Sequence, residues 1–267
     1  MKVLRTLIAG LMVASALSAG PAFAQQFPFN SAGVTMGHWQ IASQDIEANK
    51  KIFVAMGGKP LPRGNESVQF PGVIVNLTMR GGPGKGGTVG STVNHVGFIV
   101  KNVQEQTAQW KAAGVPVLPG NNGRLDQAFV VTPDGVRIEI LEDKTQPMPI
   151  RHEHVHFFLT EAEVPKAQAW YAKMFGGEAG TRGDAPVVNF PGAQFRFNKA
   201  DTPQAPTAGR VFDHFGFDIK DLHGFVKKLE AEGIHMEEEV RTTPTGLAVT
   251  FFTDPWGTRI ELVQRPE

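Results

Sequence analysis

One motif recurs four times and limits the architecture of this chain more than any other feature. It reads GHWQIAS at 37–43, NHVGFIV at 94–100, EHVHFFL at 153–159 and DHFGFDI at 213–219. Histidine is second in every copy. Subtracting their numbers, His38, His95, His154 and His214 lie 57, 59 and 60 residues apart. A near-constant period signals one supersecondary unit repeated, here as four units. In a strand, alternate side chains face opposite sides. Trp39 and Ile41, then Val96 and Phe98, Val155 and Phe157, Phe215 and Phe217 therefore form an apolar face in each copy, with the histidine on the other.

The punctuation after each histidine strand predicts a helix packed on its apolar face. Ser43 or Asp45 caps the first helix, which stops near Gly57-Gly58. The second ends at Gly114, the third has Pro165 in its first turn and stops at Gly176-Gly177, and the fourth runs from about Asp221 to Gly233. Short alternating strands then close each unit, over 68–79, 128–142, 187–198 and 248–264. They are broken by turns such as Pro71-Gly72 and Asp254-Pro255-Trp256-Gly257. Two Gly- and Pro-rich stretches, 80–92 and 199–210, read as linkers between units. The first, RGGPGKGGT, is not a phosphate loop: Gly86 follows Gly84-Lys85 where Ser or Thr is needed. A short joint at 142–148 separates two halves. The expectation is an α+β chain of four βαβββ units, paired one with two and three with four, giving domains over 30–146 and 150–267.

Residues 1–24 read as a secretory signal peptide. Lys2 and Arg5 precede an apolar run too short for a membrane span, and Ala22-Phe23-Ala24 forms an A-x-A cleavage site. A periplasmic or secreted location follows as an expectation, with no membrane partner after cleavage. Basic and acidic residues balance at 26 each, so nucleic acid is not a favoured partner. Cysteine is absent, which excludes disulfides, thiolate metal sites and a cysteine nucleophile.

The even-numbered units end alike, in PDGVRIEIL at 133–141 and PWGTRIELV at 255–263. Alignment on Gly135 and Gly257 superposes Glu139 on Glu261 and Arg137 on Arg259. In the odd units, alignment on Gly72 and Gly192 puts Asn76 and Arg196 at the glutamate position. Each half thus offers two histidines and one glutamate: His38, His95 and Glu139, then His154, His214 and Glu261. Two imidazoles with one carboxylate suit Fe(II), Mn(II), Zn(II) or Ni(II) and leave coordination positions open.

These features resemble the vicinal oxygen chelate superfamily, which includes glyoxalase I, fosfomycin-resistance proteins, bleomycin-binding proteins and class I extradiol dioxygenases. The H-V-x-F and D-H-x-x-F strand openings and the D-P-x-G-x-x-x-E-L ending at 254–262 carry the resemblance, over nearly all of the chain after residue 24. The resemblance implies half-open barrels of paired βαβββ units around a divalent metal, Fe(II) being favoured, held by the two triads. It implies a small oxygen-chelating substrate and extradiol-dioxygenase-like chemistry. A glyoxalase-like lyase or isomerase with Glu261 as base, and a non-catalytic binder of the bleomycin-resistance kind, are the alternatives; an oligomer is compatible with either. Ring-cleaving relatives add a histidine and a tyrosine near the iron. Here His156 is the candidate general acid or base, because it shares a strand face with His154 and imidazole titrates near neutrality. His152 reads as an exposed strand-edge residue, and the chain's one tyrosine, Tyr171, falls on the third helix. Arg137 and Arg259 are expected to support the glutamates.

Overall fold

In the computed structural model, which describes residues 27–62, 66–79 and 81–266, every repeat folds as βαβββ. Unit one comprises β1 (Val34–Ala42), α1 (Ile46–Ala55), β2 (Lys59–Pro60), β3 (Val68–Phe70) and β4 (Val73–Thr78). Unit two comprises β5 (Val93–Val100), α2 (Val103–Ala112), β6 (Val117–Pro119), β7 (Gln127–Val131) and β8 (Arg137–Glu142). Unit three comprises β9 (Ile150–Thr160), α3 (Val164–Phe175), β10 (Glu178–Arg182), β11 (Ala185–Phe190) and β12 (Ala193–Ala200). Unit four comprises β13 (Phe212–Ile219), α4 (Leu222–Ala231), β14 (Arg241–Thr242), β15 (Ala248–Thr253) and β16 (Arg259–Gln264). The proposed leader at 1–24 lies outside the described residues. No helix among the described residues is long and apolar enough to cross a membrane.

Local chemistry sets the helix ends. Asp45, Asn102 and Asp221 each accept a backbone N–H three residues on, at 3.0 Å, satisfying a donor that the first turn leaves unpaired. Glycines at positive φ stop the helices, as at Gly176 (φ 66°) and Gly233 (φ 82°), where a side chain would be strained.

The units pair into two eight-stranded sheets, but the partners differ from those expected. One sheet runs β14-β15-β16-β13-β1-β4-β3-β2 and joins unit four to unit one. The other runs β10-β11-β12-β9-β5-β8-β7-β6 and joins unit three to unit two. In each, two histidine strands meet antiparallel at the centre, β1 against β13 and β5 against β9. The segments 30–146 and 150–267 are therefore each divided between both sheets, which corrects the pairing of one with two and three with four. Chain length explains it. The short joint after β8 holds β9 in the sheet of β5, whereas the two long linkers cross between sheets. They run side by side: Thr92 N–H donates to Ala205 O (3.0 Å) and Ala205 N–H donates to Gly90 O (3.0 Å). Two glycines of RGGPGKGGT, Gly84 and Gly87, permit the close approach in this crossing. A Cβ on Gly84 would lie 2.4 Å from Val211 N, and one on Gly87 2.3 Å from Gly135 O.

The apolar faces of both sheets and the helices share one core. Trp39 meets Phe98 across it with ring centroids 5.3 Å apart, and Phe157 meets Phe215 at 6.2 Å. Tyr171 and Phe175 of α3 join this core, Phe175 at 4.5 Å from Phe217. The histidine-bearing strand faces consequently turn away from the core, one on each sheet.

Candidate metal centres

The cross-half pairing exchanges two of the six predicted ligands and keeps His95 with Glu139 and His214 with Glu261. His38, His214 and Glu261 converge in the first sheet; His95, Glu139 and His154 converge in the second, together with His156. Within each group the donor atoms lie within 4.8 Å of one another. The sets His38–His95–Glu139 and His154–His214–Glu261 are not formed. His38 and His154 have exchanged places because each belongs to an odd unit whose strand pairs across the halves. His156 and Glu261, expected at one site, stand on β9 and β16 of different sheets.

A glycine makes each encounter of strands possible. In the antiparallel registers His38 faces Gly216 and His154 faces Gly97. The imidazole lies across the neighbouring strand where a Cβ would be, 2.0 Å from His38 Cε1 at Gly216 and 2.0 Å from His154 Cε1 at Gly97. Only glycine leaves that space open.

For His214, His154 and His95, the preceding residue fixes which ring nitrogen is free. His214 Nδ1–H donates to Asp213 Oδ1 at 2.6 Å, His154 Nδ1–H to Glu153 Oε2 at 2.5 Å, and His95 Nδ1–H to Asn94 Oδ1 at 2.9 Å. These tautomers are assigned from the acceptors present. With Nδ1 protonated, a neutral ring offers the Nε2 lone pair to the site, which is the usual arrangement of a metal-bound histidine. His154 Nε2 lies 3.1 Å from Glu139 Oε2, and His38 Nε2 lies 2.9 Å from Glu261 Oε2. Neither nitrogen makes a hydrogen bond, since each contact is close but off the line of an N–H donor. A cation between each of these buried, unpartnered nitrogens and its carboxylate would satisfy both, and this donor set fits a divalent ion.

The electrostatics agree. Burial alone would raise Glu261, but the His214 and His38 rings beside it hold it well below the ordinary carboxylate range. Glu139 behaves likewise with His154 and His95. Burial works against charge on His214, yet Asp213 and Glu261 outweigh it and lift that ring above the ordinary imidazole value. Burial pushes His95 down to about 4, and His156 well below the ordinary value.

The two centres differ in their surroundings. The Glu261 centre opens into a cavity of about 650 Å³ whose lining includes Gln40, Asn76, Ile74, Val249 and Phe251. Phe251 stands edge-on to His214 at 5.3 Å. The cavity beside Glu139 is about 270 Å³, with Arg196, Asn198 and His156 in its wall. Arg196 is buried there and donates to Glu153 from a position that Asn76 occupies in the other sheet.

Several expectations require correction. His152 is not an exposed edge residue. It is fully buried between Trp39 and Phe98, with Nδ1 2.9 Å from Gly192 O, and burial pushes it down to about 3. Arg259 does not hold Glu261; it donates to Asp213 (3.0 Å) and Glu237 (2.9 Å), so it steadies the partner of His214 instead. Arg137 lies over the Phe129 ring at 4.0 Å. Tyr171 is fully buried and donates to Asp254 (2.6 Å), outside both centres. Asn94, Glu153 and Asp213 were not singled out from the sequence, although an acceptor directly before the histidine was the available signal. Gly97 and Gly216 carried a second, two residues after the histidine of the even units.

The sequence profile of the Glyoxalase/Bleomycin resistance protein/Dioxygenase superfamily matches residues 153–262. Among solved structures, glyoxalase I from Zea mays is similar with a TM-score of 0.67 and 18% identity, over 86% of this chain and 92% of that one. A putative dioxygenase from Bacillus subtilis is similar with a TM-score of 0.66 and 15% identity, over 87% of this chain and 86% of that one. At such identity the likeness is one of fold. A search of curated proteins finds no match. Residues 153–262 thus match the glyoxalase/bleomycin resistance protein/dioxygenase superfamily in sequence, and the chain as a whole shares the fold of these structures.

Proposed function

We propose that the chain is an exported, metal-dependent enzyme that acts on a small oxygen-chelating substrate at the Glu261 centre, with chemistry of the extradiol-dioxygenase type. One observation carries this reading: two imidazoles and a single carboxylate, His38, His214 and Glu261, converge at the floor of the larger cavity. Three protein donors leave positions open for substrate oxygens, and Fe(II) is the ion this donor set favours, with Mn(II), Zn(II) and Ni(II) as alternatives. A bound ion would polarise the substrate oxygens and, as Fe(II), supply dioxygen chemistry. The protein does the rest. Asp213 accepts the hydrogen bond of the His214 Nδ1–H and so aims its Nε2 inward, and Arg259 holds Asp213 in turn. Gln40 and Asn76 present carboxamides to the cavity, and Ser67 fixes Asn76 by donating to its Oδ1 (2.8 Å). Phe251, Ile74 and Val249 supply an apolar wall for a flat carbon skeleton. Among the described lining residues, His38 and His214 are the only imidazoles, so no histidine beyond the ligands stands ready as acid or base.

The test is oxygen uptake by full-length protein loaded anaerobically with Fe(II), then exposed to a panel of catechols. Uptake that His214→Ala and Glu261→Ala abolish is the expected result. Turnover of a hemithioacetal without oxygen consumption would move the protein to the glyoxalase-like class. Binding of small ligands with no turnover would leave it a non-catalytic binder.

A further inference from the structure

The Glu139 centre has one imidazole too many for an open triad, and the surplus ring is placed as a ligand. His156 occupies the register position that Gln40 occupies in the other sheet: Gln40 faces His214 across β1 and β13, and His156 faces His95 across β9 and β5. Its Nε2–H donates to Asn198 Oδ1 (3.0 Å), which leaves the Nδ1 lone pair directed inward. That Nδ1 is 2.9 Å from His95 Nε2, whose own proton lies on the opposite nitrogen, against Asn94. Two lone pairs thus face each other with no proton to share. His154 Nε2, in a fully buried ring, is likewise without a hydrogen-bond partner. Two further donor separations are 3.1 Å from His154 Nε2 to Glu139 Oε2 and 3.4 Å from His95 Nε2 to Glu139 Oε2, and all four donors lie within 4.8 Å of one another. Donors bound to one tetrahedral ion at about 2.0–2.1 Å stand roughly 3.3–3.4 Å apart, so the donors at 2.9–3.4 Å need move only a few tenths of an ångström to bind one.

We infer that His95, Glu139, His154 and His156 form a closed, four-donor cation site of the zinc type, which fastens unit two to unit three, while the Glu261 centre, with three donors and the larger cavity, takes the substrate. Its donors come from β5, β8 and β9, so a bound ion ties the two units across their antiparallel seam. Three imidazoles and one carboxylate suit a borderline ion such as Zn(II), and four protein donors are the hallmark of a site that holds an ion without reacting. Arg196, which lines the small cavity beside the site, is held by an ion pair with Glu153. This assignment stands whether or not the Glu261 centre is catalytic.

The test uses the full chain with His38→Ala and His214→Ala, which removes the open centre, stripped by chelator and titrated with Co(II). The expected result is one equivalent bound with the intense visible absorption of a four-coordinate ion, unchanged by azide. Zn(II) should raise the unfolding temperature of the same variant. Adding His156→Ala should weaken binding at least tenfold, make the spectrum azide-sensitive and abolish the thermal shift. Circular dichroism of the stripped triple variant, matching the stripped double variant, shows that the fold is retained; should it not match, Asn198→Ala serves instead, and a change in Co(II) affinity of less than twofold there overturns the assignment. No Co(II) bound by the double variant, a weak azide-sensitive spectrum there, or affinity within twofold after His156→Ala would each overturn it as well.

Discussion

Replacing Gly216 by alanine tests the cross-half architecture directly. The added Cβ would sit 2.0 Å from His38 Cε1 and 2.4 Å from Nδ1, against an ordinary contact of 3.4–4 Å. The buried ring must retreat by roughly 1.4 Å, the gap between 2.0 and 3.4 Å. Overpacking of this kind costs about 1–3 kcal/mol. A ligand displaced that far should also cost the centre at least the ~10–100-fold in metal affinity that follows disturbance of a ligand's support. The assay is a double-mutant cycle read by urea denaturation of the metal-free protein. In a His38→Ala background the space is vacant, so Gly216→Ala should cost little, giving a coupling of about 1 kcal/mol or more. In a His154→Ala background the full cost should remain, because His154 lies against Gly97 of the other sheet. Coupling to His154 in place of His38, or to neither, would refute the pairing of unit one with unit four.

The mirror substitution, Gly97→Ala, should couple to His154 with similar size and leave binding at the Glu261 centre within twofold, measured by calorimetry. Asp213→Ala should weaken metal binding at the Glu261 centre about 10–100-fold by releasing the His214 ring, while the Glu139 centre keeps its affinity. Burial lifts Asp254 from 3.8 to about 6 even though Tyr171 and two backbone N–H groups donate to it. A carboxyl raised on folding stabilises fully below its unfolded value and loses that contribution as pH rises through about 6. Asp254→Asn, which keeps the acceptor oxygen, should therefore gain on the native protein by up to about 3 kcal/mol between pH 4 and 7; parallel denaturation curves across that range would contradict this. Tyr171→Phe removes the buried donor that ties α3 to the turn before β16 and should cost about 1–3 kcal/mol in urea denaturation at pH 7.

Much of the fold was legible because it is local. Strand parity around His38, His95, His154 and His214 placed the apolar stripes in the core and the rings on the opposite face, as found. Asp45, Asn102 and Asp221 cap their helices through contacts three residues long. The αL glycines after α3 and α4 end them for reasons contained in their own backbone. His152 escaped this logic because a register shift where β5 meets β9 turns it inward, against Trp39 and Phe98, and parity counted along one strand has no knowledge of its neighbour. Arg259 escaped it because its partners, Asp213 and Glu237, lie far away in sequence.

What the sequence determined by itself was the unit and the identity of its chemistry. Four βαβββ repeats, histidine on the free face, glutamate only in the even units, and glycine two residues after the histidine only in those same units (Gly97 and Gly216) together require an odd unit to meet an even one. Two arrangements satisfy that requirement equally: one with two and three with four, or one with four and two with three. Nothing within a unit distinguishes them, since His38 and His154 would fit against either glycine. Only the tertiary structure decided, through the path of the connections. The short joint keeps β9 beside β5, the two long linkers cross together between the sheets, and His38 and His154 exchange centres as a result. The consequence is chemical as well as topological, because it leaves Gln40 beside one triad and His156 beside the other.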